Sequence, residues 1–133
     1  MHTPFSHYSH AVAVDGAQRI IFCAGQAAGD AEGNILGPGD FDLQGELVIA
    51  NIKKVLTEAG ATFSDVVKLV SYVCSPHDVQ NLRTLVRRHF SENPPANTIC
   101  VLRGLAHPDY LLEIDATAVV QTLSYARERI LDI

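Results

Sequence analysis

The 133-residue chain has no tryptophan, a single methionine and only 7% aromatic residues, so its 47% hydrophobic content is mostly aliphatic. Charge is sparse too. Charged residues make up 19% of the chain, and 15 acids against 10 Lys and Arg give a net charge of −5. A protein that grips a phosphate backbone normally clusters Lys and Arg, so this balance argues against nucleic acid as a partner. The one dense basic run, Arg83, Arg87, Arg88 and His89, falls on an expected helix and reads as its solvated face. Cysteine is also scarce. Cys23, Cys74 and Cys100 are odd in number, far apart and without a CxxC pair. They are expected to be buried free thiols in a reducing compartment rather than redox or metal groups. The chain shows no basic segment leading into a short apolar leader and no apolar run of membrane-spanning length, which makes a cytoplasmic protein with no membrane partner the expectation. Repeats, low-complexity tracts and linkers are absent as well. Residues 1–133 are read as one domain, with 1–7 and 121–133 frayed or accessory.

What is present is a sequence of well-punctuated elements. Ala11–Val14, the turn signal Asp15-Gly16 and Arg19–Ala24 read as a hairpin, which Gly25 ends. Gly29 to Gly39 is a Gly- and Pro-containing loop. A helix is predicted from an N-cap at Asp40 or Asp42, with Val48, Ile52, Val55, Leu56 and Ala59 at helical spacing and Gly60 as the stop. Val66–Val73 is a β-rich run closed by Pro76. A second helix follows Asp78, carrying Val79, Leu82, Leu85, Val86 and Phe90 on one face. After Pro94-Pro95, Thr98–Leu102 reads as a strand, His107–Asp109 as a turn and Leu111–Val120 as the last long strand. The segment 121–133 reads equally as a short amphipathic helix or a tail.

Two helices cannot cover both faces of a sheet this large, so an α+β fold with both helices on one face is predicted. Yet Val66–Val73 is apolar at nearly every position, the pattern of a strand covered on both sides. Another copy of the chain is the simplest cover, since most soluble oligomers are symmetric homo-oligomers.

Several separated motifs resemble those of the Rid family, also called the RidA/YjgF family of reactive-intermediate deaminases. They are Tyr8-Ser9-His10-Ala11-Val12, Phe22-Cys23-Ala24-Gly25-Gln26, Asn51-Ile52-Lys53 through Leu56–Gly60, Asp65–Lys68, Pro95-Ala96 and Glu113-Ile114-Asp115-Ala116. Each is weak alone; their order and spacing are specific, and together they cover Tyr8 to Val120. The resemblance implies a fold like the trimeric chorismate mutases, a mixed sheet backed by two helices. It also implies a homotrimer with ligand clefts between subunits, and hydrolysis of enamines and imines without metal or cofactor.

In the family, the arginine of Pro-Ala-Arg grips the substrate carboxylate, a grip that suits a planar, permanently charged fork. Here that position is Asn97, which offers hydrogen bonds but no charge. The loss of a charged clamp of this kind costs roughly 2–5 kcal/mol, which sets the standard 2-aminoacrylate activity in doubt. Arg103 shares a strand face with Asn97 by period-two counting but stands six residues, about 20 Å, away. Arg83 falls where the resemblance implies a helix asparagine near the cleft; a solvated helix arginine is the plain alternative. Glu113 is the candidate catalytic residue. With Asp115 and Thr117 it points away from the apolar face of Leu112, Ile114, Ala116 and Ala118. There it can orient water or shuttle a proton, the role that the resemblance implies, against the plain reading of a carboxylate on a wet face. Tyr8 corresponds to a cleft tyrosine, and Gly25 can admit a ligand to the backbone or simply end a strand. Ala24 replaces the family serine. His2, His7 and His10 match no metal-ligand spacing.

Three functions follow. The first is an enzyme acting on a small imine, enamine or related carbonyl intermediate; the second is a non-catalytic homotrimer binding a small metabolite or a partner protein. Ribonuclease activity, attributed to some relatives, is disfavoured by the acidic charge.

Overall fold

The computed structural model describes residues 7–121 and 127–130. Its strands are β1 (Ala11–Val14), β2 (Ala17–Gln26), β3 (Val66–Val73), β4 (Ala96–Val101), β5 (Leu112–Gln121) and β6 (Arg127–Ile130), with helices α1 (Phe41–Glu58) and α2 (Asp78–His89). A four-stranded mixed sheet runs in the order β2-β5-β3-β4, with β3–β4 parallel and the other two pairings antiparallel. Both helices pack on one face, α1 over β2 and β5 and α2 against β3. This is the predicted α+β architecture.

The caps explain where α1 sits. The Asp40 side chain accepts from the Leu43 N–H at 3.0 Å, an N-cap that relieves one orphan donor. At the other end Gly60 adopts φ 79°, a left-handed turn that favours glycine. Its N–H donates to Thr57 O while Ala61 N donates to Leu56 O, the paired closure that stops a helix. Between the caps, Val48, Ile49, Ile52 and Leu56 of α1 pack in one core with Leu82, Leu85 and Val86 of α2. The sheet contributes Leu69, Val73, Leu112, Ile114, Ala116 and Ala118 to it.

The basic run at the end of α2 is not merely solvated. Arg88 and His89 both bind the carboxylate of Glu46 on α1, the histidine at 2.8 Å. Burial works to raise the Glu46 carboxyl, but hydrogen bonds and positive charge from Arg88 and His89 outweigh it and hold the group below its ordinary value. A depressed carboxyl supports the fold above the ordinary glutamate range and ceases to do so as acid protonates it.

Several expectations need correction. The β1–β2 hairpin does not form: β1 pairs antiparallel with β6, Ala11 opposite Ile130 and Val14 opposite Arg127. So 127–130, read from sequence as helix or tail, is a strand. The calls on 1–6, His2 among them, and on 122–126 and 131–133 fall outside the described residues. Strand β2 does not stop at Gly25 but continues through it to Gln26, and β4 starts at Ala96 and ends at Val101. Only Cys23 of the three free thiols is buried; Cys74 and Cys100 are partly exposed. Burial, and then the charge of Asp115, push the Cys23 thiol up.

Candidate functional site

The site begins with a miscount between two strands. On β2, Cys23 pairs with Ala116 and Gln26 with Ile114, so three steps on β2 match two on β5. The extra residue makes a β-bulge, a device that bends a strand and re-aims what lies beside it. It brings Gly25 against Glu113. A Cβ on Gly25 would lie 1.9 Å from the Glu113 Oε1, so a side chain of any size is incompatible with the carboxylate where it stands. The space that Gly25 leaves open is occupied by the Glu113 side chain, where the sequence reading expected a ligand.

Glu113 points to the sheet face away from the helices, since its strand neighbours Leu112 and Ile114 are buried under them. Across the β5–β3 pairing it stands opposite Tyr72, and Tyr72 Oη donates to Asp115 Oδ2 at 3.1 Å. That hydrogen bond, followed by burial and nearby negative charge, raises the Tyr72 phenol above its ordinary value.

Glu113 and Gly25 line a cleft of 620 Å³ whose other walls include Ala27, Asp30, Asn51, Lys54 and Tyr110. This is within the size range of small-molecule sites. Its walls are held by two amides on α1. Asn51 Nδ2 donates to Ala27 O at 3.1 Å and lies 3.4 Å from Gly29 O, which fixes the chain leaving β2. Gln44 is fully buried and donates to Leu36 O at 3.1 Å and Asp109 O at 2.7 Å, with Gly37 O at 3.3 Å sharing the amide; its Oε1 accepts from Leu111 N at 2.9 Å. One side chain thus ties both cleft loops to α1. Asp30 turns its carboxylate into its own loop, accepting from Glu32 N, Asn34 N and Asn34 Nδ2 at 2.8–3.0 Å, and those bonds lower its carboxyl.

The remaining sequence candidates lie elsewhere. Asn97 pairs with Leu69, which pairs with Ala116, so Asn97 belongs to the helix-side face and Glu113 to the opposite one. The two are separated by two strand spacings, about 10 Å laterally, before their offset along the strands is counted. The Asn97 amide oxygen accepts from Ser71 Oγ at 3.1 Å. Tyr8 lies beyond the outer edge of β4, where Ser9 bridges Ala96 and Ser9 Oγ donates to Pro94 O at 2.6 Å. Its ring meets that of His10 edge-on at 5.5 Å, and His7 Nε2 lies 2.8 Å from Phe90 O. Arg83 is half-buried on α2. Arg103, expected to share a strand face with Asn97, lies past the end of β4 and is exposed. None of Tyr8, Arg83, Asn97 and Arg103 lines the Glu113 cleft of its own chain. Asn51, Lys54 and Tyr110 do line it and carried no site signal in the sequence. Asn51 and Lys54 share a side of α1 at i, i+3, but a polar pair at that spacing is equally what any solvated helix shows. No cluster of potential metal ligands occurs among the described residues.

Gly25→Ala gives a direct check on this packing. The end of a glutamate side chain can swing, so the variant should stay folded, with its urea midpoint changed by less than about 0.5 kcal/mol in stability. A crystal structure should show the Glu113 carboxylate displaced by more than 1 Å (about the shortfall from van der Waals contact). An unmoved carboxylate would contradict the contact.

Comparison with known proteins accords with this fold. The sequence profile of the family described as Endoribonuclease L-PSP matches residues 2–120. A RutC family protein of Pyrococcus abyssi is 36% identical over 115 residues, covering 86% of this chain and 87% of that one. Among solved structures, YyfB of Yersinia pestis, described as a protein of unknown function of the conserved Rid family, gives a TM-score of 0.77 at 38% identity, covering 85% and 86% of the two chains. RidA of an Antarctic Psychrobacter gives 0.69 at 27% identity, covering 88% and 91%. Strand β6 lies beyond the residues that the profile matches.

Proposed function

We propose, because this chain belongs to the Endoribonuclease L-PSP (Rid) family, that it hydrolyses a small imine or enamine-derived intermediate, with Glu113 as the group that moves the proton. The observation that carries this reading is the Glu113 carboxylate standing against a glycine in an open cleft. In the reaction, water adds to the carbon of a protonated imine as Glu113 accepts a proton from that water. The new C–O bond makes a carbinolamine. Glu113 then returns that proton to nitrogen, the C–N bond breaks as the hydroxyl oxygen forms C=O, and Glu113 passes the hydroxyl proton to the departing ammonia, so that ammonium leaves and a carbonyl compound remains. A carboxylate within reach of water on both occasions contributes about 10²–10⁴-fold to such proton transfers.

The working unit in this reading is a homotrimer. On the sheet face opposite the helices, Phe22 is 79% exposed and Ile20 55% exposed, and their strand partners there are Thr117 and Val119. Large aliphatic and aromatic side chains left bare together mark a contact surface. Association also supplies what one chain lacks, since Tyr8 and Asn97 at the β4 edge can meet a Glu113 cleft only if that cleft belongs to a neighbouring subunit. The neutral Asn97, engaged by Ser71, favours a substrate other than 2-aminoacrylate. RNA is a poor match for a chain of net charge −5. No described helix is long and apolar enough to cross a membrane.

The test is ammonia release from small imines generated in place by an amino-acid oxidase. The native protein should accelerate at least one of them. With the imine of alanine, Asn97→Arg should be about tenfold faster than native, the ratio one added charged hydrogen bond supplies. No acceleration of any imine would overturn the enzyme reading in favour of a trimer that binds a metabolite without turning it over.

A further inference from the structure

We infer that Lys54, on α1, is the residue that anchors the anionic group of the substrate in the Glu113 cleft. The inference rests on the Glu113 reading above and adds to it the residue that meets the substrate's charge. Among the described residues, Lys54 is the one cationic side chain lining the cleft; Lys53, Arg83 and Arg103 do not line it. Its place is set by its neighbour. Asn51, one turn earlier on α1, is bonded to the carbonyl of Ala27 and lies against that of Gly29, which holds this stretch of the helix against the loop that forms the cleft wall. Lys54 is exposed, and no hydrogen bond or ion pair engages its amine among the described residues.

The acids of the cleft are arranged to leave Lys54 free. Asp30 spends both oxygens on Glu32 and Asn34 within its own loop, and Glu113 stands on the wall formed by β2 and β5. The cleft therefore offers a positive point on the α1 side and a negative one on the sheet side. A molecule with an anionic head and a protonated imine fits that polarity, its head on Lys54 and its reactive carbon at Glu113. An ammonium group is a point charge without the fork geometry of a guanidinium, so it accepts anions of varied shape. This accounts for how a chain with neutral Asn97 can still hold an acid.

The experiment uses the full chain and two non-reactive probes, pyruvate and its uncharged amide, pyruvamide, with binding followed by NMR titration. Native protein should bind pyruvate more tightly than pyruvamide. Lys54→Met should weaken pyruvate binding about tenfold, as expected for one partly exposed charged hydrogen bond, and leave pyruvamide unchanged. Lys54→Arg should restore pyruvate binding. For any imino acid that the native protein hydrolyses, Lys54→Met should raise KM and leave kcat within twofold. Pyruvate binding equal in native and Lys54→Met protein would overturn the anchor, while imine hydrolysis retained by both would leave the Glu113 reading standing. Lys54-dependent pyruvate binding with no imine hydrolysed would support the anchor and sink the enzyme. If neither probe binds the native protein, the anchor falls.

Discussion

Glu113→Gln is expected to lower imine hydrolysis by at least about 100-fold with KM nearly unchanged, because the amide keeps the size and shape of the carboxylate but cannot take a proton from water. The side chain lies at the open cleft rather than in the core, so the variant should unfold at the native urea concentration. Glu113→Asp is the informative companion. It keeps the proton chemistry but draws the carboxylate back by one methylene, and it should retain more activity than the glutamine variant. Full turnover by Glu113→Gln would remove the proton-transfer role outright, whatever the cleft binds.

Gln44→Leu should be the most damaging single change in the described structure that leaves every apolar core residue in place. Leucine fits the volume but deprives the part-buried Leu36 and Asp109 carbonyls and Leu111 N–H of their partner, a side chain that is itself fully buried. Each buried group left unpaired costs roughly 1–3 kcal/mol, so a loss of about 3 kcal/mol in urea denaturation is expected after partial relaxation. The two cleft loops should also lose their attachment, and amide exchange across 29–39 and 105–111 should quicken. A loss below 1 kcal/mol would mean that the loops hold their shape without this amide.

The elements that the sequence made legible are those whose signals are local. Asp40 and Gly60 bracket α1 because a cap needs only its own helix, and the alternation of Leu112, Ile114, Ala116 and Ala118 with Glu113, Asp115 and Thr117 needs only its own strand. What escaped depends on a partner far along the chain. The bulge at Gly25 is a difference in count between β2 and β5, and neither strand records it alone. Ala11–Val14 says strand but not which neighbour, so the nearby Asp15-Gly16 turn suggested β2 where the structure has β6. Gln44 reads as an ordinary polar residue near a helix start; two of its partners are 65 and 67 residues away. The resemblance located Glu113, Gly25, Tyr8 and Asn97 in one cleft, and a single chain brings together only the first two.

The strand order has a consequence for how the protein is made. In β2-β5-β3-β4, β5 is an inner strand joining the hairpin-distant β2 to the β3-α2-β4 unit, and it is the last of the four to leave the ribosome. Until about residue 121 has emerged, α1 has half of its platform and the apolar sides of β2 and β3 have no shared neighbour. A chain stalled or cut before β5 would expose sticky surface for as long as it lasted, a state that invites aggregation. Synthesis of this small protein is therefore committed late, with one central strand closing the sheet from both sides at once.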